Sequence, residues 1–273
     1  MYSLFILSIS WLRHDGHPKR TLMWLARKIV NRWLPRWWRN RIDLESASIE
    51  SLLIRAARDL PIPAMILDAG SGQSPYRRFF TGHRYIAVDF ARGEATWDYS
   101  QLDAVGMLEQ LPLPDNTFDA VLSTQVLEHV PEPQKVVDEM FRVLKPGGTL
   151  YLSAPLGFGE HQIPYDFYRY TRFGLQHILD NAGFNISLLE PRGGYFCYMA
   201  VISMWFYLYL FPQTRSLILK FLLFPLQLLA ATWFIFIWPP IVSAFDFLDK
   251  EKSITLGYAV IAKKPPNMHN NAA

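Results

Sequence analysis

The sequence predicts an α/β fold, a parallel sheet covered by helices on both faces, with an apolar helical segment set in before a last strand. Three observations carry this. Short apolar runs alternate with helix-like patterns over residues 47–190, and such alternation builds parallel sheets buried on both sides. The first run opens directly into a glycine-rich turn, Asp68-Ala69-Gly70-Ser71-Gly72. Charge almost disappears over 195–248, after which strand-like sequence returns at Ile254–Ala262.

Composition bounds the reading. With 51 % hydrophobic, 19 % charged and 15 % aromatic residues in 273, the chain is no disordered or low-complexity protein. Cys197 is the single cysteine, so neither an intrachain disulfide nor a cysteine metal cluster is expected, and no metal site is read from the sequence. The net charge of +3 conceals an asymmetry: residues 1–42 hold nine Lys/Arg against Asp15 alone, while the remainder holds 18 basic and 23 acidic residues. A basic arm on an acidic body points to a local anionic partner.

The elements follow in order. Residues 1–12 are apolar but short of the roughly 20 needed to span a bilayer, and lack the basic start of a secretory signal. Over 19–41, helical spacing puts Leu22, Ala26, Ile29, Trp33 and Trp37 on one face, with Lys28, Arg32 and Arg39 opposite. Pro35 is expected to kink or break that helix. Tryptophan and arginine on an amphipathic helix suit a lipid headgroup layer, so membrane lipid is the expected partner and nucleic acid is not. A helix capping the main domain is the structural alternative.

Strands are expected at Met65–Asp68, Tyr85–Asp89, Phe118–Ser123, Thr149–Ser153 and Phe184–Leu189, with helices at Ile49–Asp59, Pro133–Val143 and Phe173–Asn181. Lys145-Pro146-Gly147-Gly148 reads as a helix stop and turn. The resulting division is a basic arm 1–42, a core 43–194, an apolar insert 195–248, a final strand 249–264 and a polar tail 265–273.

The glycine turn carries the chemistry. Glycine lets a backbone approach a ligand closely, but a dinucleotide fingerprint would place a third glycine where Pro75 stands. A nicotinamide oxidoreductase is disfavoured accordingly. Asp68-Ala69-Gly70-Ser71-Gly72 resembles the first motif of class I S-adenosylmethionine-dependent methyltransferases, of the type 11-like kind. The resemblance continues in order through Tyr85-Ile86-Ala87-Val88-Asp89, Leu111–Asp119, Leu127-Glu128-His129-Val130 and Val143–Gly148, covering roughly 60–190 and 254–263.

This resemblance implies a Rossmann-like sheet whose seventh strand, Ile254–Ala262, runs antiparallel. It implies S-adenosyl-L-methionine as cofactor, with Asp68, Ala69, Gly70, Ser71 and Gly72 along the methionine part. Asp89 would take the ribose hydroxyls beside Phe90, and Thr124 and Gln125 would face the cofactor. The acidic residue usual for the adenine would fall at Met107, which leaves Asp103 as the nearest candidate. Glu128 and His129 are read as orienting the next helix. Ionised carboxylates suit a diol and an ammonium independently of the resemblance.

Methyl transfer needs positioning above all, with a base only for an acceptor that must lose a proton. The segment after the fifth strand offers His161 as candidate base and Tyr165, Asp166, Arg169 and Tyr170 as candidate substrate contacts; a loop in which Asp166 and Arg169 merely pair is the alternative. Its Tyr-Arg-Tyr-Thr run also resembles methyltransferases of bacterial envelope-glycan assembly.

If Ile254–Ala262 closes the sheet, both ends of the insert meet the same side of any membrane, which excludes an odd number of crossings. Either a helical hairpin crosses twice, or an in-plane or re-entrant hairpin dips into one leaflet, as Pro225 and Pro239-Pro240 favour. A buried lid or dimer surface is the alternative. The expected function is methylation of a lipid-linked glycan, quinone or other amphipathic acceptor at the cytoplasmic membrane face. A membrane-bound adaptor that kept the fold without the reaction is the rival.

Overall fold

A computed structural model of the chain describes residues 35–93, 97–210 and 216–266. The 1–12 segment and most of the 19–41 arm lie outside the described residues. Pro35 precedes a short helix, α1 (Arg36–Ile42), where its missing N–H costs no helical hydrogen bond. A longer helix, α2 (Leu44–Asp59), follows and begins earlier than its apolar spacing alone suggests.

The chain divides into two units, one built from 49–192 with 257–266 and the other from 35–48 with 193–256 among the described residues. The first unit is a seven-stranded sheet. Its strands are β1 (Met65–Ala69), β2 (Arg84–Asp89), β3 (Ala104–Val105), β4 (Phe118–Thr124), β5 (Leu144–Pro155), β6 (Asn185–Pro191) and β7 (Gly257–Lys263). They lie in the order β3-β2-β1-β4-β5-β7-β6. Strands β1 to β5 pair in parallel, while β7 runs antiparallel to both β5 and β6. This is the Rossmann-like sheet with a reversed last strand that the resemblance implies.

Alternation of side chains places Ile66 and Leu67 on opposite faces. Leu67, Val121, Leu150, Leu152 and Val260 pack with Val136, Val137 and Met140 of helix α3 (Pro133–Val143) and Leu175 and Leu179 of helix α4 (Arg172–Asn181). On the other face Ile66, Ala87, Leu122 and Ile261 meet Leu52, Leu53 and Ala56 of α2. Each fully buried Leu, Ile, Val or Met side chain among them contributes about 1.5–3 kcal/mol.

Strand β5 starts earlier than expected. Leu144 already pairs with Phe118, and the next pair is Thr149 with Ala120, so Lys145-Pro146-Gly147-Gly148 bulges between two paired ends of one strand. Gly147 takes φ +82° there, a conformation glycine adopts without steric cost. Lys264, just past β7, donates from Nζ to the carbonyls of Phe141 and Leu144 and to Asn116 Oδ1. It thereby satisfies the open carbonyl end of α3.

The second unit contains α5 (Tyr195–Leu210), α6 (Leu217–Ala231), a π-helical stretch Thr232–Ile237 and α7 (Trp238–Ser243). Carboxylates close its base. Asp246 accepts from the backbone N–H of Gly194 and Cys197, and Asp249 from that of Tyr195, at the helix end where unpaired N–H groups favour negative charge. The prolines of the apolar run sit inside or beside its helices. Pro225 is carried within α6, and Pro239-Pro240 fall in the first turn of α7, directly after the π-helical stretch. Within the 28-residue run Phe221–Leu248 an 18-residue stretch reaches a mean hydropathy of 2.0, and among the described residues this is the helical run long and apolar enough to cross a membrane; Tyr195–Tyr207 is shorter.

Candidate functional site

At the carboxyl end of β1 the backbone turns back onto β2. Gly70 N and Ser71 N donate to the Val88 carbonyl at 2.8 and 3.1 Å. Gly70 has φ +82°, and a Cβ at that position would overlap the Val126 side chain, so the turn is open to glycine alone. Asp68, buried beneath it, accepts a hydrogen bond from the Tyr85 hydroxyl. Burial raises the Asp68 carboxyl from 3.8 to about 7, with the Tyr85 hydrogen bond opposing and the nearby Asp89 charge adding to the rise.

This shift makes a prediction whose sign is fixed. A carboxyl that titrates higher folded than unfolded holds its proton better in the folded state. Stability contributed by the protonated form is therefore lost as pH rises from near 4 through about 7. The ligand-free protein should unfold at lower urea at about pH 8 than at about pH 5, and Asp68→Asn should remove part of that difference. An identical pH dependence in the variant would contradict the assignment.

Asp89, at the end of β2, accepts from Gly72 N through Oδ2 and from Ala91 N through Oδ1, both at 2.8 Å. It ties the glycine turn to the turn after β2, and each oxygen keeps a further lone pair. Burial raises its carboxyl, with the N–H groups of Ala91 and Gly72 opposing. Phe90, next along, is exposed and lies edge-on to Tyr165 at 6.3 Å between centroids.

Asp103 stands apart from this group. Its carboxylate accepts from Ala87 N at 2.8 Å and from the Arg77 guanidinium at 2.5 Å, so it ties the approach to β3 against the middle of β2. The Gly106 N–H donates to the Asp89 carbonyl, which brings exposed Met107, rather than Asp103, just beyond the β2 tip. Thr124 ends β4. Gln125, at φ +55°, is bonded back to Ser153 through its backbone N–H and its side-chain amide.

The loop after β5 is built around one ion pair. Arg169 donates to both oxygens of Asp166 at 2.7 and 2.8 Å, and to the carbonyls of Phe158 and Gly159. Asp166 also accepts from His161 N at 2.7 Å. Burial opposes its charge, but Arg169 and that N–H together hold the carboxyl below its usual range. Asp166 and Arg169 thus engage each other and the loop. Tyr170 turns inward and donates to the Leu127 carbonyl at 2.8 Å, while Tyr165 stays at the surface beside Phe90.

His161 is buried, and desolvation together with the neighbouring His129 lowers its imidazole to about 3. It is neutral at physiological pH, able to accept a proton but weakly basic. Two neighbours that the sequence reading takes only as orienting the next helix are brought to it by the fold. His161 and His129 meet edge-to-face at 4.4 Å between centroids, and Glu128, wholly buried, has its carboxyl raised to about 8 by desolvation. The Leu-Glu-His-Val run was the available signal. What it lacked was any indication that a loop more than thirty residues onward folds over it.

The geometry agrees with what comparison finds. Residues 67–152 match a family model described as a methyltransferase domain. An uncharacterized methyltransferase of Mycobacterium leprae (strain Br4923) is 36 % identical over 135 residues, 45 % of this chain and 46 % of that protein. One of Mycobacterium bovis (strain BCG) is 33 % identical over 158 residues, covering 54 % and 58 %. The chain thus spans about half the length of these curated relatives. Among solved structures, a [4+2]-cyclase, SpnF, aligns with TM-score 0.50 at 22 % identity over 81 % of this chain and 83 % of its own. A putative methyltransferase in complex with an activator from Haloferax volcanii aligns at 0.50 and 17 %, over 88 % and 93 %. Likeness at these identities is likeness of fold.

Proposed function

We propose that the chain, whose residues 67–152 match a methyltransferase-domain model, is a class I S-adenosylmethionine-dependent methyltransferase that transfers a methyl group to a membrane-borne or amphipathic acceptor. The observation that carries the reading is the glycine turn at the end of β1, held to the Asp89 carboxylate through Gly72 N at 2.8 Å. The residues present fit the cofactor. Ser71 Oγ in that turn is buried with no hydrogen-bond partner among the described residues, and a buried hydroxyl is stable once a ligand supplies one.

The cofactor, when bound, supplies a methyl group on a sulfonium that is its own leaving group. In this reading the backbone of Ala69–Gly72 follows the methionine part, with Asp68 behind it. Asp89 accepts hydrogen bonds from the ribose hydroxyls. Thr124 and Gln125 stand at the neighbouring strand end, and Asp103 acts indirectly by holding β3 to β2. Phe90 and Tyr165 offer exposed aromatic surface to an apolar acceptor. With its Nε2 uncoordinated, His161 takes up an acceptor proton only where that acceptor is itself acidic, and Asp166 and Arg169 hold the loop that presents it. Positioning of this kind supplies most of what an in-line displacement requires.

The membrane part of the proposal rests on the second unit. In the run Phe221–Leu248, Phe221, Leu222 and Leu229 are 81 %, 66 % and 68 % exposed, an apolar surface that suits lipid. An enzyme confined to the cytoplasmic membrane face gains when its acceptor shares that layer. We expect radiolabelled methyl to enter the organic phase when purified protein meets a membrane-lipid extract, and to be lost with Asp68→Ala. Label confined to a water-soluble extract would overturn the acceptor class. Failure to bind S-adenosylmethionine would favour the adaptor.

A further inference from the structure

The group formed by Glu128, His129 and His161 has a use beyond orienting helices. Glu128 is 0 % exposed, and both carboxylate oxygens lack a hydrogen-bond partner among the described residues. The charges of Arg169 and Arg192 act on this carboxylate from nearby, yet neither oxygen is hydrogen-bonded among the described residues, and a buried carboxylate is costly unless a cation meets it directly. Glu128 Oε1 lies 3.8 Å from His129 Nε2 and 4.0 Å from His161 Nε2. These spacings are too long for hydrogen bonds, yet close to the roughly 3.4 Å that separates two ligands about 2.1 Å from one tetrahedral ion.

Both rings are oriented from behind. His129 Nδ1 lies 2.5 Å from the Tyr165 carbonyl. A carbonyl accepts only, so Nδ1 carries the proton and Nε2 the lone pair. The Gln162 amide nitrogen, 3.3 Å from that Nε2, is placed to donate to it. His161 Nδ1 lies 3.3 Å from Gly159 O and 3.4 Å from both Asp166 Oδ2 and the donor Arg169 Nη2. Arg169 is already engaged by the two Asp166 oxygens, and the tautomer that donates from Nδ1 to Gly159 O or Asp166 turns the Nε2 lone pair toward Glu128. Imidazoles whose far nitrogen donates to a carbonyl or carboxylate, with the near nitrogen facing a shared point, are the usual support of a metal ion.

We propose that His129 Nε2, His161 Nε2 and one Glu128 oxygen form a three-ligand site for a borderline divalent transition-metal ion such as zinc, with further coordination left for water or an acceptor oxygen. Two imidazoles and a carboxylate suit such an ion, and three protein ligands rather than four mark a site able to exchange. The ligand atoms lie within 4.8 Å of one another, so binding draws the most separated pair together by at most about 1.4 Å while displacing the Gln162 amide. Asp166 acts as a positioning residue through His161. The role of an acceptor oxygen rests on the methyl-transfer reading; the metal site does not.

The test uses the full chain, stripped of metal with chelator and then titrated with Zn²⁺ and Co²⁺. One equivalent per chain should bind, and Co²⁺ should show d–d absorption without a thiolate charge-transfer band, which separates this site from Cys197. Glu128→Gln, nearly isosteric, and His161→Ala should each weaken binding at least about a hundredfold, and Asp166→Asn about tenfold to a hundredfold. Near-ultraviolet circular dichroism reports whether each variant is folded. Absence of stoichiometric uptake by the wild type, or a stoichiometric site that survives Glu128→Gln, overturns the proposal. Because the readout is metal binding, its failure would leave cofactor binding and methyl transfer standing, and their failure would leave the metal site standing.

Discussion

Asp89→Ala should reduce S-adenosylmethionine affinity by at least about a hundredfold, measured by isothermal titration. Hydrogen bonds from the ribose hydroxyls to a carboxylate contribute about 1.5–3 kcal/mol each, so losing a pair costs about 3 kcal/mol or more, roughly a hundredfold in Kd. A second effect adds to the first. The same side chain accepts from Gly72 N and Ala91 N at 2.8 Å, so its removal releases the glycine turn as well as the ribose. Asp89→Asn keeps one acceptor oxygen and nearly the same shape, and should lose about tenfold, the cost of one charge-assisted bond. An Asp89→Ala protein that binds as tightly as wild type would place the ribose elsewhere.

Gly70→Ala is expected to be the most damaging single methyl group in the glycine turn after β1. The new Cβ meets two obstacles at once: the φ of +82° and the Val126 side chain in its path. The left-handed conformation costs a non-glycine residue about 1–2 kcal/mol. Forcing an extra carbon into packed surroundings costs about 1–3 kcal/mol more. Together these should lower the thermal midpoint by roughly 5–15 °C and abolish cofactor binding. Gly70→Ala with Val126→Ala should recover part of the stability, because space is restored, but only the packing share, because the backbone conformation remains unfavourable. Full recovery would show that the backbone conformation carries little of the cost.

The contrast between Gly70 and Glu128 marks how far the sequence could be read. Glycine after a run of buried strand residues is a local statement about backbone, and Asp68-Ala69-Gly70-Ser71-Gly72 shows it without any knowledge of partners. Alternating apolar residues in β1, β2 and β4, and the helical spacing of α3, are local in the same way, since burial of one face imposes a period on neighbouring residues. Those elements, and the reversed β7 implied by the resemblance, stand in the structure near their expected bounds.

Partner choice is a different matter. Asp103 could be read as an adenine contact because nothing nearby shows that Ala87 N and Arg77 reach its carboxylate. Asp166 and Arg169 could equally face a substrate until the loop closes them on each other. Leu144 becomes strand before the Pro-Gly-Gly bulge because Phe118 pairs with it across the sheet. Local pattern was enough to place most strands and helices of the sheet unit, the glycine turn after β1 and the apolar run before the last strand, but not the two-residue β3 or the start of β5. Which polar groups meet was settled by the tertiary fold, which brought Glu128, His129 and His161 to one point. The reason is physical: periodicity records burial, which each residue experiences locally, whereas hydrogen bonds and ion pairs between distant loops exist only once folding has met the entropic cost of closing them.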